Sequence, residues 1–208
     1  MTSPSLRGPV LALDASTARA TVAVLKSGAV IGAATMGQRS EHVEPLLPAA
    51  LALLESNSLR LADLAAIVCG AGPGSFTGLR TAASIAKGLA MGLTIPLFSV
   101  GSLPLILVDA SPGRYLATLD AGRGDAFAAL LQWPCAEGAG YILVPSVKLA
   151  ALADESGAQV VGPQTDHWPH AKAAANLDWG APVDLASWEP DYGRNSAAED
   201  RRREGAGR

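Results

Sequence analysis

The sequence predicts an α/β fold of mixed sheets flanked by helices. Three observations carry this. The first 36 residues alternate short β-branched runs with tight-turn residues. Two later stretches place apolar residues at helical spacing, and an apolar run precedes each of them or follows it directly. One of those junctions is a Gly-Pro-Gly loop, the usual sign of a strand turning sharply into a helix. The chain has 208 residues, 49% apolar and only 17% charged, against about 25% charged in an average soluble domain. It is long enough to bury a core without a disulfide or metal staple.

Val10 to Ala15 reads as a first strand ending in Asp14-Ala15-Ser16-Thr17. Thr21 to Leu25 and Ala29 to Met36 follow as antiparallel partners around Lys26-Ser27-Gly28. Glu41 to about Asn57 has helical periodicity, with Val43, Leu46, Leu47, Ala50 and Leu54 on one stripe. Leu64 to Ala71 is a buried strand. Ser75 to about Gly92 is a second helix, with Ser75 placed to cap it. Ile95 to Val100 closes the set. This order is that of a ribonuclease-H-type lobe, assigned to residues 9–107. In residues 108–195, a smaller second lobe, Arg114 to Ala121 and Ala126 to Trp133 form a hairpin about Gly122-Arg123-Gly124. Tyr141 to Val144 and Gln159 to Gly162 are short strands around a helix at Val147 to Asp154. Beyond Trp168 the pattern is alanine-rich and helical, then broken at Pro182 and Pro190. Residues 196–208 read as a charged, flexible tail.

Charge sets the class of partner. The segment from Arg194 on has five basic and three acidic residues, +2, which leaves 11 basic against 16 acidic, −5, before it. Such a body has no electrostatic footprint for a phosphate backbone. Contact with a nucleic acid is therefore expected through another subunit. No apolar run of about 18 residues marks a spanning helix, and residues 1–9 lack the apolar core of a secretion signal, so the expected location is cytoplasmic. Two cysteines, Cys69 and Cys135, make no disulfide framework.

Two turns are candidate phosphate loops. At the first, Asp14, Ser16 and Thr17 combine a carboxylate with backbone amides and hydroxyls; the same residues are also ordinary turn formers. At the second, Gly72, Gly74, Ser75, Thr77 and Gly78 sit at a helix N-terminus, where an anion is favoured. The alternative reading there is a plain strand–helix turn with Phe76 plugging the core.

Gly72-Pro73-Gly74-Ser75-Phe76-Thr77-Gly78-Leu79-Arg80, followed by Ala86-Lys87-Gly88-Leu89-Ala90, resembles the TsaB (YeaZ) family. So do Asp14-Ala15-Ser16-Thr17 and Ser40-Glu41-His42-Val43-Glu44-Pro45-Leu46-Leu47-Pro48. Asp120-Ala121-Gly122-Arg123-Gly124-Asp125-Ala126-Phe127 and Pro190-Asp191-Tyr192-Gly193-Arg194-Asn195 match more loosely; Gly122 stands for the usual arginine and Gly193 for the usual leucine. The resemblance implies an actin-like ATPase fold of two ribonuclease-H-like lobes. It further implies a non-catalytic subunit that binds and supports TsaD in forming N6-threonylcarbamoyladenosine at position 37 of ANN-decoding tRNAs. TsaE would join the assembled complex, TsaC would supply the threonylcarbamoyl-adenylate, and tRNA would be reached only through the complex.

The catalytic relative carries a His-x-x-x-His metal pair whose matching positions here are Ser102 and Ile106. An isoleucine ligates nothing, so no metal site is expected. His167 and His170, split by Trp168-Pro169, read as a solvent-exposed loop. No catalytic residue is assigned. No cofactor is required by this chain, and any ATP or ADP site is expected to be weak or shared with a partner.

The partner surface is expected on the two first-lobe helices. On the first and just before it these are Glu41, His42, Pro45, Pro48, Ala49, Ala52 and Leu53. On the second they are Arg80, Ala83, Ala86, Lys87 and Ala90. Helices that are apolar nearly all round are buried twice or face a partner. The free chain could form a homodimer through the same helices. Two other classes remain open: a small actin-like-fold ATPase or phosphotransferase acting alone, and a glycoprotease-like peptidase.

Overall fold

The structure is a computed structural model; it describes residues 8–37, 46–134 and 140–193. Glu41, His42, Pro45 and the tail from Arg194 on lie outside these residues, as does Cys135.

Five strands form the first sheet: β1 (Val10–Asp14), β2 (Ala20–Lys26), β3 (Ala29–Met36), β4 (Ala66–Gly70) and β5 (Leu97–Val100), in the order β3-β2-β1-β4-β5. β1 runs antiparallel to β2 and parallel to β4, and β4 runs parallel to β5. Alternate side chains of a strand point to opposite faces, and both faces here are covered. Leu11, Leu13, Val22, Val24, Ile67 and Cys69 meet α1 (Leu46–Ser56) and α2 (Phe76–Leu93). α1 presents Leu46, Ala50 and Leu54 to the sheet. Each such leucine contributes about 1.5–3 kcal/mol by burial. Ser75 caps α2, its hydroxyl accepting from the Gly78 amide at 3.3 Å.

Val10, Ala12, Ala23, Leu25, Val68 and Phe98 point the other way. They share a core with the second sheet: β6 (Gly113–Gly122), β7 (Asp125–Trp133), β8 (Ile142–Pro145) and β9 (Gln159–Val161), in the order β8-β7-β6-β9. The hairpin register is pinned by Gly122, Arg123 and Gly124, all at positive φ. α3 (Leu149–Ser156) covers part of the outer face of this sheet through Ala153, beside Leu116 and Ala128.

The alanine-rich stretch after Trp168 corrects the sequence expectation. Only Ala171–Asn176 is helical, as a short 3-10 segment. Its alanines serve close packing rather than helix propensity: Ala171, Ala173 and Ala174 are fully buried in the core shared by the two sheets. The rest of the chain to Gly193 has no regular element. It returns to the first lobe, with the Val183 amide donating to the Leu97 carbonyl at 2.8 Å and the Asp191 amide to the Ala71 carbonyl at 2.7 Å. The first sheet ends at Val100 and the second begins at Gly113, while Val183, Leu185, Trp188 and Asp191 return to the first sheet and its loop.

Candidate functional site

β1 and β4 are parallel neighbours, so the turns at their C-terminal ends lie side by side. This brings the two candidate phosphate loops together. Asp14 is fully buried at the end of β1. Its Oδ1 accepts from the Ser16 amide at 3.0 Å and the Ser16 hydroxyl at 2.7 Å; its Oδ2 accepts from the Ser102 hydroxyl at 2.7 Å. Burial raises the Asp14 pKa above its ordinary 3.8, against the lowering effect of these hydrogen bonds. Burial also pushes the Cys69 thiol well up, with the Asp14 charge adding to it.

The loops touch backbone to backbone. A Cβ at Gly78 would run into the Ala15 carbonyl, and one at Gly74 into the Ser16 carbonyl. A Cβ at Gly70 would strike the Asp14 carboxylate. These glycines are there for close approach, and what they approach is the chain itself.

Three of the amides that could cradle a phosphate are engaged internally. Gly72 N–H donates to the Ser102 hydroxyl at 3.1 Å, Ser75 N–H to the Ser16 carbonyl at 2.7 Å, and Gly78 N–H to the Ser75 hydroxyl at 3.3 Å. Thr17 holds a local turn with Arg19, and the Thr77 carbonyl accepts from Thr81. The arrangement does not fit a phosphate held by Gly72, Ser75 and Gly78, and the Asp14 carboxylate is enclosed. Ser102 ties Asp14 to the Gly72 amide.

A strap made of residues 188–193 lies over the second loop, and sequence reasoning missed its role. A Cβ at Gly72 would run into the Asp191 carbonyl, and Tyr192 packs on Phe76 with ring centroids 4.6 Å apart. Tyr141 donates to Asp191 Oδ2 at 2.7 Å; burial and this bond push its phenol up. Gly193 has φ +69°, and a Cβ there would meet the Phe127 ring. The leucine usual in the resembling motif would not fit that position. The only available signal was the Pro190-Asp191-Tyr192 match.

Between the strap and α2 lies a groove of about 440 Å³. α2 supplies Phe76, Arg80, Ala83, Ser84 and Lys87, and the strap supplies Glu189 and Tyr192. Lys87 pairs with Glu189 at 3.1 Å and lies 5.7 Å from the Trp188 ring. Arg80 is exposed, with no ion pair among the described residues.

The structure sorts the expected partner-facing residues. Pro48, Ala52 and Arg80 are exposed, while Ala49, Leu53 and Lys87 are half-buried. Ala83, Ala86 and Ala90 correct the expectation. Ala86 and Ala90 have no exposed surface and pack under the first sheet, and Ala83 is 5% exposed. Leu51, at 39% exposure, and Met91, at 66%, stand on the outer faces instead. α2 turns Ala82, Ala86 and Ala90 to the sheet and Gly88, Met91 and Gly92 outward. His170 also departs from the open loop expected. It is half-buried, its Nδ1 accepts from the Lys172 amide at 3.1 Å, and Nε2 meets Thr35 Oγ1 at 3.3 Å. Desolvation and the Lys172 charge lower its pKa. Among the described residues no three potential metal ligands cluster, and no helix is long and apolar enough to cross a membrane.

Residues 35–133 match the family model described as TsaD: tRNA N6-adenosine threonylcarbamoyltransferase. The tRNA threonylcarbamoyladenosine biosynthesis protein TsaB of Escherichia coli is 34% identical over 122 residues, 57% of this chain and 52% of that protein. TsaB of Bacillus subtilis is 34% identical over 129 residues, 60% of this chain and 55% of that protein. The chain thus spans about half the length of the curated relatives it matches. In structure, YeaZ from Pseudomonas aeruginosa superposes with a TM-score of 0.77 at 25% identity, covering 89% of this chain and 99% of that one. Two mixed sheets with parallel β1 and β4, and loops meeting at their ends, define a protein of the actin-like ATPase fold. Within that class, the chain is similar to the TsaB (YeaZ) proteins.

Proposed function

We propose that the chain acts as the TsaB-type subunit that binds and supports TsaD in forming N6-threonylcarbamoyladenosine on tRNA, and is itself non-catalytic. The observation that carries the reading is the closure of the two loops on each other. The Asp14 carboxylate, the Ser16, Ser75 and Ser102 hydroxyls and three loop amides satisfy one another, as expected of a scaffold rather than a nucleotide-turnover site. The outer faces of α1 and α2 supply the partner surface, with Leu51 and Met91 exposed beside small residues. On this reading the chain needs no cofactor, TsaE joins the assembled complex, and tRNA is met through TsaD. The protein works in the cytoplasm and can pair with itself when TsaD is absent.

The test is a reconstitution with TsaD, TsaE, TsaC, ATP and tRNA. Modified adenosine is expected only when this chain is added, and neither ATP turnover nor peptide cleavage by the chain alone. Full modification in its absence would end the proposal; turnover of ATP by the isolated chain would favour the phosphotransferase reading.

A further inference from the structure

The charges of the groove between α2 and the strap are unevenly matched. Lys87 is answered by Glu189 at 3.1 Å. Arg80, one helical turn beyond Phe76, is answered by nothing among the described residues. On α1 and α2 the only other charged side chain is Glu55, at the far end of α1. An exposed guanidinium beside a Phe76–Tyr192 ring pair, on an otherwise charge-poor helix face, is an incomplete pair. Bidentate acceptance by a carboxylate is what a guanidinium's planar fork suits best. Gly88 and Gly92 continue the same helix, and a Cβ at either would meet only open space, so a second backbone can come close.

We propose that the groove receives an acidic side chain carried by the docking element of TsaD, with Arg80 as its partner and the Phe76–Tyr192 pair as the wall that dries it. The inference rests on the TsaD-binding reading and deepens it. It assigns a function to the strap, since Glu189 and Tyr192 line the groove together with five residues of α2. Ring contact on one side and a partner on the other would exclude water, which strengthens the ion pair relative to one on open surface.

The experiment measures the Kd of TsaD for the full chain and for its Arg80→Ala, Arg80→Lys and Arg80→Glu variants, at low and at high salt. Arg80→Ala is expected to weaken binding about tenfold or more and to flatten its salt dependence. Arg80→Glu should bind more weakly still, and Arg80→Lys should recover part of the affinity. Arg80 is exposed, so unfolding temperatures should stay at the wild-type value, which separates binding loss from misfolding. Wild-type affinity and salt dependence in Arg80→Ala would overturn the proposal. So would a loss confined to tRNA binding. If the wild-type chain does not bind TsaD at all, the reading beneath the proposal fails, and the proposal fails with it.

Discussion

Asp14 accepts three hydrogen bonds, all from serine groups, and no cation pairs with it among the described residues. A buried carboxylate without a counter-charge is held by its donors but penalised by desolvation. Because its folded pKa lies above the ordinary 3.8, the folded chain binds a proton more tightly than the unfolded chain. Stability from this group is therefore full below about pH 4 and falls as pH rises through the folded pKa. Asp14→Asn removes the titration while keeping an acceptor for Ser16. The unfolding temperature of the wild type, relative to that variant, should fall as the pH rises above about 4. A relative temperature that stays flat or rises over that range would show that Asp14 is not penalised by burial. The Asp14-x-Ser16 turn was visible in the sequence, but its partner Ser102 was not. That pair is 88 residues apart, and nothing local marks it.

α2 shows why the exposed face of a helix is harder to read than a strand. Its 18 residues include Ala82, Ala83, Ala86 and Ala90 on the buried side and Gly88, Met91 and Gly92 on the open side. Alanine and glycine differ too little in hydropathy for periodicity to choose between the faces. The strands were legible because β1, β2 and β4 are β-branched or leucine-rich and end at glycine or serine turns. The 3-10 segment at Ala171–Asn176 was not, since alanine favours a helix wherever packing does not decide otherwise. The sorting has a measurable consequence. Met91→Asp and Leu51→Asp should keep the stability within about 0.5 kcal/mol and weaken capture of TsaD. Ala86→Asp should instead abolish cooperative unfolding, because it forces a carboxylate beneath the sheet. If Ala86→Asp folds normally and loses only TsaD binding, the assignment of faces is reversed.

Across the whole molecule, the two lobes are clasped at the mouth of the first loop. Arg19 lies over the Trp168 ring at 4.3 Å and pairs with Asp166 at 3.4 Å, and Trp168 itself donates to Asp166. Deeper in, the Ala171 amide donates to Thr21 Oγ1 at 3.0 Å. The exposed ion pair adds little, whereas the ring contact contributes about 0.5–1 kcal/mol. Trp168→Ala, which also uncovers the ring's apolar neighbours, should lower the unfolding temperature by about 2–4 °C for each kcal/mol lost. Amide exchange should quicken around residues 14–19 and 163–170 and stay unchanged in α1; an unchanged melting curve would show that the clasp holds nothing. The strap has a further consequence, for the order in which the protein is made. Residues 188–193 close over a loop at residues 70–75, so the ribosome must deliver nearly all of the described chain before that loop can be sealed. Until then the glycine-rich turn and the inner wall of the groove stand open, and a nascent chain has no finished groove however early its first sheet has formed.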